Sequence, residues 1–323
     1  MRSGGLRTHS SVILQFMDIK VVSVNVSEKK GTIKVPVPRI ELNANGVQGD
    51  AHSGNWHRQV SLLGLESFRK FEVQAKRPLN YGEFAENITT EGIVLYETHP
   101  FDRFRIGDVL LEVTQIGKKC HGDSCAIYRE VGNCVMPKEG IFCRVLQPGV
   151  VEAGNVIEYL PRVFKVKVIT LSDRASAGAY EDRSGPRVVQ MMEEFFASTG
   201  WKAEVERVVI PDEADLLRLH LNDTGSADIV ITTGGTGIGL RDITVDVVKP
   251  LLDKEIPGIM ELIRVKYGTE KPNALISRGV AGVMGTTLVY TLPGSVKAVE
   301  EYLTEITKTI RHSIFMLNGL DVH

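Results

Sequence analysis

The apolar positions of this chain change rhythm once. Through the first half they form short β-branched runs at residues 20–26, 109–113 and 142–146, divided by turn glycines such as Gly46, Gly49, Gly82, Gly92, Gly107 and Gly149. That spacing predicts closely packed strands, interrupted by one helix over residues 62–72. Many short strands with few helices imply a β-rich barrel-like fold or a bent sandwich.

The rhythm changes at Leu160-Pro161-Arg162, because a proline biases its predecessor towards an extended backbone. Beyond it, strands predicted at 166–171, 205–210, 229–232 and 287–291 alternate with helices at 185–198, 213–221, 244–252 and 259–267, and a helix begins at Ser295. In the first of these helices Val188, Val189, Met192 and Phe195 share one face. This order specifies a doubly wound α/β domain with helices on both faces of the sheet. The chain is therefore expected to hold a flexible leader at 1–17, upstream of a second candidate start at Met17, then domains at 18–160 and 161–323.

At 323 residues the chain has room for two cores. Its formal net charge of −2 offers no basic field for non-specific binding of nucleic acid or an anionic membrane. No apolar run approaches the ~20 residues of a membrane span, and the opening stretch lacks the pattern of a signal peptide. All four cysteines fall between Cys120 and Cys143. Without a secretory signal, that points to a reduced, cytoplasmic setting.

Ligands of doubly wound sheets bind beyond the carboxyl ends of the strands, and the unusual residues gather there. The strand at 229–232 runs into Thr233-Gly234-Gly235-Thr236-Gly237-Ile238-Gly239. Glycines let backbone N–H groups face an anion, and Thr232, Thr233 and Thr236 add hydroxyls. The run is neither a Walker A loop nor a G-x-G-x-x-G, since Leu240 occupies the third glycine position. Asp242, after Arg241, either caps the next helix or holds a magnesium ion that lets an acid sit beside phosphates. Asp212, at the end of another strand, is open to the same two readings. Ser172 is a cap or a phosphate donor, and Arg174 beside Asp173 is a surface charge or a phosphate clamp. Ser277-Arg278-Gly279 and Leu292-Pro293-Gly294-Ser295 add further polar turns. Five such loops at one edge predict an anionic, phosphorylated ligand.

Residues 166–316 resemble the molybdopterin adenylyltransferase family (MogA/MoaB-like, including the G domain of gephyrin-type proteins). The matching stretches are Thr170 to Ser176, Glu181-Asp182-Arg183-Ser184-Gly185, Ile210-Pro211-Asp212-Glu213, Thr232 to Gly237, Arg241-Asp242-Ile243-Thr244 and Leu292-Pro293-Gly294-Ser295. The resemblance implies Mg2+-dependent transfer of AMP from ATP to the phosphate of molybdopterin, with release of pyrophosphate. It also implies a homotrimer, molybdenum-insertion proteins downstream, and Asp212 and Asp242 as the catalytic, metal-binding pair. The residues implied to bind substrate are Ser172, Asp173, Arg174, Thr233, Gly234, Gly235, Thr236, Gly237, Arg241, Ser277, Arg278, Pro293, Gly294 and Ser295.

Residues 18–159 resemble the MOSC domain of molybdenum-cofactor sulfurases. The likeness rests on Gly46 to His52, Arg58-Gln59-Val60-Ser61-Leu62, Glu86 to Gly92, Arg105-Ile106-Gly107-Asp108 and the segment from Gly117 to Val145. It implies pterin or sulfur handling through a cysteine. Cys120 and Cys125 are the candidates, with His121, Lys118 and Lys119 supplying positive charge near Cys120. Cys143 reads as a buried small hydrophobe; the cysteine spacings do not match the usual zinc pairs. His52 and His57, close to Asp50, line a site, bind a metal or are solvated loop residues. Two rival readings remain open at this level: a scaffold that holds molybdopterin without chemistry, and a protein whose main activity lies at a MOSC cysteine.

Overall fold

The computed structural model describes residues 18–119, 134–222 and 227–320. The chain divides into two compact units between Pro161 and Arg162.

In the N-terminal unit the strands are β1 (Lys20–Val26), β2 (Val35–Val37), β3 (Arg39–Asn43), β4 (Gly46–Val47), β5 (Val60–Gly64), β6 (Ile88–Glu91), β7 (Arg103–Ile106), β8 (Val109–Ile116), β9 (Ile141–Gln147), β10 (Gly149–Glu152) and β11 (Ile157–Leu160). One sheet runs β11-β7-β8-β9-β5-β6-β1-β2, and a smaller one runs β10-β3-β4. The large sheet curls until β11 meets the start of β1: Ile157 N–H donates to Ile19 O at 2.7 Å, and Val21 N–H to Asn155 O at 2.9 Å. A curled sheet with its edges joined buries one continuous face, here Val24, Leu62, Ile88, Phe104, Leu111, Val113, Ile141 and Cys143. The helix expected over 62–72 begins later, at Leu65–Ala75. Leu62 instead lies in β5, a strand buried along its whole length between β6 and β9. A fully buried strand loses the polar alternation that would have marked it in sequence.

The C-terminal unit holds β12 (Val163–Leu171), β13 (Lys202–Ile210), β14 (Ile229–Thr233), β15 (Lys254–Glu255), β16 (Ala281–Met284) and β17 (Thr287–Leu292), in the order β13-β12-β14-β17-β16-β15. The first four are parallel and the last two antiparallel, so the sheet is mixed. Helices Ser184–Thr199 and Ala214–Asn222 make the crossovers, and Val296–Leu317 closes the unit. Val299, Leu303, Ile306, Ile310 and Ile314 of that last helix are buried at i, i+3/i+4 spacing. Each such side chain contributes roughly 1.5–3 kcal/mol when fully buried. The element expected at 244–252 is a short α-helix, Thr244–Val248, tightening into a 3-10 turn at Lys249–Leu251, with Pro250 in that turn. The chain leaves β12 towards β13 on one side and reaches β14 on the other. The switch point therefore lies between β12 and β14.

Candidate active site

The loops after β12, β13, β14 and β17 leave the same edge of the sheet. After β12, Ser172 caps the short helix Asp173–Ser176 by accepting from Ala175 N–H at 3.2 Å. Asp173 Oδ1 accepts from Asp212 N–H at 3.0 Å, and Asp212 Oδ2 accepts from Asp173 N–H at 3.0 Å. Arg241 grips Asp173 with two bonds, Nε to Oδ2 at 2.9 Å and a terminal nitrogen to Oδ1 at 2.7 Å. Those bonds hold the Asp173 carboxyl below its usual titration range. Three loops far apart in sequence are thus joined at one carboxylate.

The glycine loop begins where β14 ends. Gly234 has φ +102°, and a Cβ there would collide with the Leu171 carbonyl oxygen, so this position requires glycine. Its N–H donates to Leu292 O at 2.9 Å, while Thr233 Oγ1 donates to Pro293 O at 2.9 Å. The loop carbonyls are tied back in turn. Thr244 Oγ1 donates to Gly234 O at 2.8 Å, Thr244 N–H to Gly235 O at 3.1 Å, Arg278 N–H to Thr236 O at 2.9 Å and Arg278 Nε to Gly237 O at 2.7 Å. With its carbonyls held, the loop has amides to spare. Among the described residues, no protein acceptor takes the N–H groups of Gly235, Thr236 and Gly237. Consecutive unclaimed amides in a glycine-rich turn form an anion-binding concavity.

Two acids flank it. Asp212 Oδ1 lies 3.5 Å from where a Gly235 Cβ would stand, and Asp242 Oδ2 lies 2.7 Å from the equivalent point at Gly237. Asp242 does not cap the helix Thr244–Val248, which has no side-chain cap; it accepts from Gly239 N–H at 2.7 Å instead. Burial raises the Asp212 carboxyl above the ordinary range, and the charges of Asp173 and Asp242 add to that effect. The ion pairs around the loop are Arg241–Asp173 and Arg278–Asp246, and among the described residues Asp212 and Asp242 take part in none.

The remaining expected residues take varied places. Arg278 spends its guanidinium on Gly237 O, Asp242 O and both oxygens of Asp246, which fastens the loop. Arg174 lies over the Tyr180 ring, 5.4 Å from its centroid, and is exposed. Ser295 caps the helix Val296–Leu317 through Ala298 N–H. Gly294 packs against Gly234, and Ser277 Oγ accepts weakly from Gly279 N–H at 3.5 Å. Beside Arg278 a cleft of about 550 Å³ opens between Asp246, Lys249, Arg264, Leu275 and Ser277. Sequence reasoning gave Thr244 no role of its own and passed over Asp246; their roles depend on partners 10 and 32 residues away. It also assigned no role to Asp182, which accepts from Thr170, Ser184, Gly185 and Arg207 and so fixes the helix start beside β12. In the N-terminal unit Cys143 is buried and its thiol is pushed up by that burial. Cys120, His121 and Cys125 lie outside the described residues. His52 stands 3.4 Å from Asp50, which is paired with the buried Lys34.

Comparison with known proteins agrees with this geometry. Residues 167–312 match the model of the "Probable molybdopterin binding domain", and residues 49–158 match that of the MOSC domain. The chain is 34% identical over 157 residues to a molybdopterin adenylyltransferase of Helicobacter pylori, covering 48% of this chain and 88% of that protein. The chain belongs to the molybdopterin adenylyltransferase family. A second family member, from Pyrococcus furiosus, is 36% identical over 159 residues, with 47% of this chain and 90% of that protein covered. The molybdenum cofactor synthesis protein cinnamon of Drosophila melanogaster is 35% identical over 158 residues, which is 48% of this chain but 26% of that longer protein. Membership of the molybdopterin adenylyltransferase family gives the chain a role in molybdenum cofactor biosynthesis. Among the described residues no helix is long and apolar enough to cross a membrane.

Proposed function

We propose that the C-terminal unit transfers AMP from ATP to the terminal phosphate of molybdopterin, releasing pyrophosphate. The observation that carries this reading is the run of amides at Gly235, Thr236 and Gly237, unclaimed among the described residues, beside two carboxylates that form no ion pair there. Phosphoryl and nucleotidyl transfers depend on alignment and on neutralising charge. The amides of the loop are suited to hold phosphate oxygens in a fixed orientation, and Arg174, beside Asp173 after β12, would offer a cation to the departing pyrophosphate.

The acids fit a magnesium ion. Among the described residues no cluster of three or more His, Cys, Asp or Glu side chains forms a complete cage. Magnesium, however, is usually held by one or two carboxylates together with substrate phosphates. Asp212, raised by burial and by its acidic neighbours, and Asp242 would hold it. When bound, the ion supplies positive charge to the phosphates in transfer. Arg241 and Asp173 keep Asp212 in place, and Arg278 keeps the loop carbonyls turned away from the substrate.

The same reading includes domains at 18–160 and 161–323, a cytoplasmic location, a MOSC half for pterin or sulfur handling, and a homotrimer. Exposed Leu262, Val265, Leu275 and Ile276 support self-association, and light scattering of the purified chain measures it. The decisive assay incubates the protein with molybdopterin, ATP and magnesium. Adenylylated molybdopterin and pyrophosphate are expected from the wild type and not from Asp242→Ala. Undiminished product from that variant rejects the role given to Asp242, and no product from the wild type favours a non-catalytic carrier.

A further inference from the structure

The segment between Gly237 and Arg241 presents two large apolar side chains to solvent at the rim of the anion-binding turn. Ile238 directly follows the last of the three amides and is 75% exposed, and Leu240 is fully exposed. A lone exposed leucine is ordinary on a protein surface. Here two such side chains alternate with glycines in the loop that offers its amides to an anion.

The local geometry keeps them there. Gly239 N–H donates to Asp242 Oδ2 at 2.7 Å, and Asp242 N–H donates to Gly239 O at 3.0 Å, which closes a turn with Leu240 and Arg241 at its corners. A Cβ at Gly237 or at Gly239 would crowd Asp242 Oδ2, at 2.7 and 2.9 Å. Close approach to that carboxylate requires bare backbone at both positions, so Ile238 and Leu240 supply the apolar surface of the turn. Arg241 is drawn off to Asp173 by two hydrogen bonds, and Arg278 holds the carbonyls of Gly237 and Asp242. A turn fastened at these points has little freedom to fold its apolar side chains inwards. They stay exposed until something covers them.

The cover must be flat, apolar and within reach of the amides. A nucleotide meets these conditions, because its base is tethered to its phosphates through one sugar. Every base offers such a face whatever its hydrogen-bonding edges, and the gain from packing grows with the area covered. We propose that Ile238 and Leu240 form the platform for the base of the bound nucleotide. They favour a purine over a pyrimidine because the larger ring covers more of both side chains. This inference rests on the adenylyl-transfer reading and adds base selection to the phosphate contacts of the same loop.

The test measures, by calorimetry on the full chain with magnesium, binding of a non-hydrolysable ATP analogue, the matching CTP analogue and inorganic tripolyphosphate, which has no base. The wild type should bind the ATP analogue more tightly than the CTP analogue. Ile238→Ser and Leu240→Ser should each weaken the ATP analogue about 3- to 10-fold, the scale of burying part of one apolar side chain. Both should narrow the preference over the CTP analogue and leave tripolyphosphate unchanged. Leu219→Ser, which removes another exposed leucine on the helix Ala214–Asn222, should alter none of the three. Equal weakening of tripolyphosphate and the ATP analogue, or full ATP affinity in both variants, overturns the platform while the phosphate contacts stand. Failure of tripolyphosphate to bind the wild type removes the phosphate contacts, and the platform with them. A changed oligomeric state with unchanged nucleotide affinity assigns the two side chains to an interface between copies and overturns the proposal.

Discussion

Asp173 and Asp212 each give their own backbone N–H to the other's carboxylate, at 3.0 Å in both directions. The exchange ties the end of β12 to the end of β13 and occupies one oxygen of Asp212. Its other oxygen, Oδ1, is turned towards Gly235. Asp173 is further held by Arg241, so the acid that accepts no ion pair is the one aimed at the loop.

Replacing Asp212 by asparagine keeps an acceptor for Asp173 N–H and removes the charge. Adenylyl transfer should fall by at least about 100-fold, the scale seen when a group that stabilises transition-state charge is lost. Stability should move the opposite way. A carboxyl raised by folding favours the protonated form, so its contribution is fully present below the unfolded titration and is lost as pH rises through the folded one. Asp212→Asn is thus expected to melt above the wild type at pH 7 and level with it at acidic pH. Thermal melts at both pH values check this.

Gly235 has φ +63°, and a Cβ there would collide with Thr244 Oγ1. Gly178 has φ +72° with nothing near a Cβ. Gly178→Ala should therefore cost only the backbone strain, about 1 kcal/mol, and Gly235→Ala distinctly more. Only Gly235→Ala should abolish binding of a non-hydrolysable ATP analogue. Denaturant midpoints and calorimetry distinguish the two; equal losses in both variants would contradict a tightly packed loop.

Arg278 holds Gly237 O, Asp242 O and Asp246 together. Lysine retains the charge but cannot reproduce the fork. Arg278→Lys should weaken nucleotide binding about tenfold through a looser loop. Combining it with Asp246→Asn should add little, because both changes break the same contact. A double-mutant cycle on ATP affinity measures the coupling.

In the N-terminal unit Glu86 is fully buried, and burial pushes its carboxyl up to about 7 despite donors at Gly82 and Thr89. Among the described residues its Oε2 has no hydrogen-bond partner. The displacement from 4.5 to about 7 corresponds to on the order of 3 kcal/mol. That stability is present below about pH 4 and lost as pH rises through 7. Glu86→Gln should raise the melting temperature of this unit at pH 8 and leave it unchanged at pH 4.

Much of this was legible in the residues themselves. The strand at 166–171 and the helix at 185–198 appear in the structure within β12 and Ser184–Thr199, because uniform apolar runs and a 3.6-residue period leave few other ways to bury them. The glycine loop and its two acids were marked by composition. The short strands β15 and β16 carried no comparable signal: β15 has 2 residues, both exposed, and is a strand only through its pairing with β16. Leu62 was placed in a helix because a central strand buried on both faces has no alternation to read.

The sequence by itself determined which residues have the chemistry to handle phosphate, since glycine conformations, carboxylates and apolar periods are local properties of the chain. Only the tertiary structure decided their roles. Arg278 and Arg241 look alike as cations in a row of letters, yet one fastens a loop and the other orients an acid. A charge acquires its function from its partners, and partners are chosen by the folding of distant segments against one another.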